Sequence, residues 1–167
     1  VRAHLAWWSA LVLGLVFQTA VLPFVVADPW RPDFTRLLVL WVALTGLPRG
    51  GAVVALSAGL ALDAASGTPL GFGMLLRLAV YGAARPLRGV FFDDRPFLLL
   101  PLAALAALVE AGAVGALSAF AFRGAIPLGA LAATSLPQAL LDAFLVPPVF
   151  VALELATGRR QKAEVPA

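Results

Sequence analysis

Gly51-Ala52-Val53-Val54-Ala55-Leu56-Ser57-Ala58-Gly59-Leu60-Ala61-Leu62-Asp63-Ala64-Ala65-Ser66-Gly67-Thr68-Pro69-Leu70-Gly71-Phe72-Gly73 reads as an apolar helix, a tight turn and the start of a second apolar helix. Gly51, Ala55, Gly59, Asp63 and Gly67 recur at every fourth position, which on a helix makes one narrow stripe. All but Asp63 are Gly or Ala, so a neighbouring helix can bring its backbone close. An acid within an apolar span costs about 2.5–3.5 kcal/mol on insertion scales, so Asp63 is expected to face protein and find a partner. Gly67 suits the residue just past a helix C-terminus, where a positive φ is needed. Ser66 and Gly71 flank the turn, Thr68 is placed to N-cap the next helix, and Pro69 to take its first position. The stretch predicts two membrane helices folded sharply back on each other.

The rest of the chain extends this pattern. Its 167 residues are 62% hydrophobic and 13% charged, with a mean hydropathy of +0.96. A soluble domain is about a quarter charged, so the fold class predicted is an all-α integral membrane protein. At about 20 residues per span, six spans with short loops would use up the chain and leave no room for a soluble domain. They fall at about residues 5–26, 34–47, 52–66, 69–84, 97–122 and 137–157, with a polar tail at 158–167. The first apolar run lacks a small-residue cleavage site and is long enough to span, so it reads as a span and not a cleaved signal. A short interfacial helix is expected between residues 123 and 136. The second span is short for a hydrocarbon core of about 30 Å.

Charge sets the expected orientation. The pI near 10.6 does not point to nucleic acid, because the basic residues lie between apolar runs and not in a block. Loops on one side carry Arg2, Arg49, Arg85, Arg88, Arg95, Arg159, Arg160 and Lys162, and those on the other carry Arg31, Arg36 and Arg123. The positive-inside rule then places both termini in the cytoplasm. A second small-residue stripe, Ala103, Ala107, Ala111, Gly115 and Ala119, runs along the fifth span. For both stripes packing within the protein is the leading reading, ahead of contact with another membrane protein; with 51–67 used inside the hairpin, the second stripe is the better candidate for any outside helix.

Asp63, Arg77, Glu110 and Asp142 stand out among the ionisable residues within the spans. They suggest a polar centre whose pairings are not set by the sequence, with Asp63–Arg77 as one candidate pair. Buried ion pairs that fix helix register are the leading reading, ahead of ligand or partner binding and of proton relay. Pro147-Pro148 should kink the last span one turn beyond Asp142. Enzyme signatures are missing. The single His is His4, so no Ser-His-Asp triad and no His-rich metal site can form, and the absence of Cys removes thiolate sites and disulfides. Gly71-Phe72-Gly73 follows no strand and precedes no Lys-Ser/Thr, so it is no phosphate loop. No catalytic, cofactor or metal residue is expected.

Arg31-Pro32-Asp33-Phe34 leading into an apolar span, then Leu47-Pro48-Arg49, Gly59, Leu62-Asp63, Ser66-Gly67 and Leu70-Gly71, resembles the bacterial rod shape-determining protein MreD family. The resemblance is carried by roughly residues 30–85, and Arg77 is not part of the family pattern. It implies a six-helix protein of the bacterial inner membrane, acting in cell elongation and peptidoglycan synthesis. Its implied partner is the single-span protein MreC, alongside MreB, RodA, a penicillin-binding transpeptidase and membrane lipids. The family is also similar in fold to substrate-binding components of energy-coupling-factor vitamin transporters. Two readings therefore stand: a non-enzymatic membrane scaffold, and a small-molecule transport component, which would need a cavity with convergent polar groups.

Overall fold

The computed structural model describes residues 2–27, 30–45, 50–67, 69–88, 99–122 and 127–157, which are helical with short connections and contain no strand. Helix α1 is Arg2–Val16, and it runs on through a π-helical turn, Phe17–Val21, into Leu22–Val25. The others are α2 (Phe34–Thr45), α3 (Gly51–Ser66), α4 (Phe72–Ala84), α5 (Leu99–Phe122) and α6 (Leu128–Thr157). Trp8–Val25, Leu99–Ala116 and Gly129–Ala156 are long and apolar enough to cross a membrane; Phe34–Thr45 and Gly51–Ser66 are apolar but shorter.

The shortest predicted span turns out to be the centre of the molecule. Every residue of α2 from Thr35 to Thr45 is buried. Leu37–Leu44 is apolar on all sides, and a helix of that kind is stable only when protein surrounds it. It packs against α1, α3, α4 and α6. Its 12 residues cover about 18 Å at 1.5 Å per residue, and a helix enclosed by protein need not match the bilayer thickness.

Helices α3 and α4 form the hairpin around which the sequence is organised. Gly51, Ala55, Gly59 and Asp63 are all buried. A Cβ on Gly59 would lie 2.5 Å from Met74 Cα and from the Gly73 carbonyl carbon, and one on Gly51 would lie 2.6 Å from the Tyr81 hydroxyl. Only glycine permits this approach. At the turn, Gly67 has φ 68° and its N–H donates to the Asp63 carbonyl at 3.1 Å. Thr68 lies outside the described residues. Helix α4 starts at Phe72 and not at Pro69, because Gly71, at φ 100°, reverses the chain first.

Two other boundaries differ from expectation. The last helix begins at Leu128, not Pro137, and continues through Pro137, Pro147 and Pro148 to Thr157. A proline removes one backbone bond, and the intact turns on either side carry the helix across it. Directly after α1, the π-helical turn ahead of Pro23 interrupts the regular span expected over residues 5–26. Pro23 has no N–H for the Thr19 carbonyl and its ring crowds that carbonyl, so the turn widens, and the Leu22 N–H reaches back to Phe17. The Thr19 hydroxyl donates to the Leu15 carbonyl at 2.7 Å in the same turn. The polar tail 158–167 lies outside the described residues.

Candidate functional site

A cluster of charged side chains from four helices lies in the interior. Asp33 immediately precedes α2 and caps it: its Oδ1 accepts from the Arg36 N–H at 3.1 Å and from the Thr35 hydroxyl at 2.6 Å. One turn further on, the Arg36 side chain donates through Nε to Glu110 of α5 at 2.7 Å and through Nη1 to Asp142 of α6 at 2.8 Å. Arg77 of α4 donates through Nη1 to both Glu110 oxygens at 2.7 Å and through Nη2 to Asp33 Oδ2. Asp142 also accepts the Asp33 backbone N–H at 2.9 Å. Arg77 and Asp142 are fully shielded, and Glu110 is 9% exposed.

Each group has a physical reason to be there. The N-terminus of α2 carries partial positive charge from its free N–H groups, and Asp33 and Asp142 both receive N–H groups at that end. The two guanidiniums are planar forks that can serve several carboxylates each, which a lysine could not do. Carboxylates from α5 and α6 are thereby tied to α2 and α4. Burial of ions is tolerated because the partners are hydrogen-bonded as well as opposite in charge.

Of the residues singled out from the sequence, the structure brings Arg77, Glu110 and Asp142 together. Asp63 is not joined to Arg77. It serves the hairpin, accepting from the Gly71 N–H at 2.9 Å and the Gly73 N–H at 2.8 Å, and so caps α4. Asp33 and Arg36 are the members that sequence reasoning missed, since they were assigned to a loop and its flank. A signal was present: a cap-forming acid three residues before a backbone N–H, then an arginine on a helix that is apolar all round.

The α5 stripe faces the inside of the protein over part of its length. Ala103 and Ala107 are buried, and a Cβ on Gly115 would lie 2.5 Å from Leu131 of α6. At Gly115 this face packs against α6, while Ala107 and Ala111 line a cavity beside it. Ala119 alone of the stripe is exposed. Pro147 and Pro148 stand between Val146 and Phe150, both core residues.

A cavity of about 460 Å³ adjoins the cluster; its polar lining is Asp33, Arg36, Arg77 and Glu110 with Thr134, Ser135 and Gln138 of α6, and the rest of its wall, including Leu62, Val114 and Leu131, is apolar. A separate apolar groove of about 280 Å³ runs between α4 and α5 and reaches Glu110 from the other side. Among the described residues no group of His, Cys, Asp and Glu has metal-binding geometry.

The apolar helices, the enclosed α2 and the ionic cluster define a helical membrane protein. The rod shape-determining protein MreD family model matches residues 1–155, and the chain belongs to that family. It is therefore a membrane protein of the rod-shape-determining class. No curated protein and no solved structure matches it.

Proposed function

We propose that the protein is a non-enzymatic scaffold of the cell-elongation and peptidoglycan-synthesis machinery in the bacterial inner membrane, holding the single-span protein MreC near RodA, its penicillin-binding transpeptidase and MreB. The observation that carries this reading is the cluster. Its charged side chains bind one another across four helices, as a rigid framework requires. The reading includes six spans with both termini cytoplasmic, on the charge asymmetry of the loops.

The surface that suits a single-span partner is the outward face of α5. Leu108, Gly112, Ala116 and Ala119 are exposed at helical spacing, and a Cβ on Gly112 would meet nothing within 4 Å. Helices in lipid associate through close packing, and small residues permit it. Gly112→Leu with Ala116→Leu should reduce MreC co-purification about tenfold, a change of about 1.4 kcal/mol, and leave the melting temperature unchanged. A C-terminal topology reporter on the same protein should read cytoplasmic. Undiminished co-purification would remove this face from the role.

The cavity beside the cluster favours a second reading, a small-molecule transport component, because it gathers polar groups in a concave site. That reading requires a water-soluble ligand to bind the purified chain in the absence of lipid.

A further inference from the structure

The cavity and the groove meet at one side chain. Glu110 lines both, with polar groups on one side of it and only apolar side chains on the other. In the groove, Leu76, Ala79 and Ala83 of α4 face Leu102, Leu105 and Val109 of α5. Its α4 wall runs from Leu76 to Ala84, about 12 Å at 1.5 Å per residue. Such a shape suits an amphiphile: a chain along the groove and a head in the cavity.

The chemistry of the head follows from the wall. Asp33, Glu110 and Asp142 outnumber Arg36 and Arg77 by one charge, so the ionised cluster attracts a cation and repels an anion. The Thr134 and Ser135 hydroxyls donate to carbonyls of their own helix and are left as acceptors toward the cavity. One fully buried donor on the cavity wall is left over. Nε of the fully buried Arg77 has no hydrogen-bond partner among the described residues, and Arg77 lines the cavity. A buried donor without an acceptor is unfavourable. A head carrying an ammonium group and an anionic oxygen would answer both needs.

We propose that the cavity and groove together bind one phospholipid of the surrounding bilayer, with its primary-ammonium headgroup in the cavity and an acyl chain between α4 and α5. The proposal is independent of the partner reading, since the outward α5 face at Gly112 is not part of the groove.

The test uses the full chain, delipidated in detergent. Phosphatidylethanolamine should raise its melting temperature by several degrees, whereas phosphatidylglycerol with the same chains should not. Ala83→Phe, at the exposed rim of the groove, should abolish the rise while leaving the lipid-free melting temperature unchanged. Thr134→Val, on the cavity wall, should narrow the difference between the two lipids. Equal stabilisation by both lipids would mean unspecific solvation and would overturn the proposal. An equal rise with chain-free phosphoethanolamine would overturn it too, by removing the groove and leaving a water-soluble ligand. Should Ala83→Phe melt lower without lipid, Ala79→Leu replaces it, and an undiminished lipid response there would also count against the groove.

Discussion

In the α3–α4 hairpin, the Asp63 carboxylate is satisfied by backbone N–H groups eight and ten residues along the chain. In the ionic cluster, Arg36 reaches carboxylates 74 and 106 residues away. Both arrangements place charge among apolar helices, but they solve different problems. The hairpin keeps its acid within a single supersecondary unit, where one turn supplies all the donors needed. The cluster divides its charges among α2, α4, α5 and α6, so no helix pair can satisfy them alone. Helix association in lipid lacks the hydrophobic driving force available in water. The cluster therefore supplies specificity that apolar faces cannot, because only one arrangement of the four helices brings every charge to a partner.

The sharpest way to break this contrast is to remove Arg36. Arg36→Leu strips Glu110 and Asp142 of one cation and leaves Asp33 with Arg77 alone. Removing one side of a buried ionic arrangement costs ~3–5 kcal/mol in soluble proteins. The expected outcome is the largest fall in melting temperature of any single change here, with the α3–α4 hairpin still helical by hydrogen exchange. Unfolding of the hairpin in step with the cluster would show that the two regions are one cooperative unit.

A smaller loss is expected from the hairpin itself. Gly59→Ala places a Cβ 2.5 Å from Met74 Cα, against backbone that has no rotamer to change. Overpacking of this kind commonly costs ~1–3 kcal/mol. Gly82→Ala in α4 is the control, because a Cβ there meets nothing within 4 Å and alanine is the better helix former. Thermal melts of both variants in detergent should move in opposite directions. A harmless Gly59→Ala would mean that the two helices do not approach as closely as the structure has them.

The same contrast explains what could be read from the sequence. The hairpin was legible because its determinants are local: a small residue at every fourth position, an acid in register and a glycine at a left-handed turn. Even there, the sequence does not say which partner Asp63 takes, a cation such as Arg77 or a hydrogen-bond donor. The Gly71 and Gly73 amides meet that need in the structure, and both lie close to Asp63 in sequence. The cluster was legible only in part. Arg77, Glu110 and Asp142 stand out because each interrupts an apolar run, but Asp33 and Arg36 lie at a helix start, where charges are ordinary. What marks them is the enclosure of α2, and enclosure is a property of the assembled bundle. The α5 stripe is ambiguous in sequence for a related reason. Small residues on one face permit close packing but do not say whether the neighbour is α6 or another protein.

The smallest expected effect sharpens the comparison most. Asp63→Asn keeps the shape of the side chain and one acceptor oxygen, but turns an NH₂ toward one of the two backbone donors. One of the Gly71 and Gly73 amides must then lose its partner. Loss of a helix cap costs about 0.5–2 kcal/mol, well below the figure expected for Arg36→Leu. The change should also be confined. Amide exchange should accelerate at Gly71 and Gly73, while the N–H of Arg36, capped by Asp33 at the start of α2, keeps its protection. A local satisfaction of charge predicts this separation, since among the described residues neither backbone donor to Asp63, at Gly71 or Gly73, belongs to the cluster. If Asp63→Asn instead lowers stability as far as Arg36→Leu and exposes the Arg36 amide, then Asp63 is energetically part of the cluster and the division between the two regions fails.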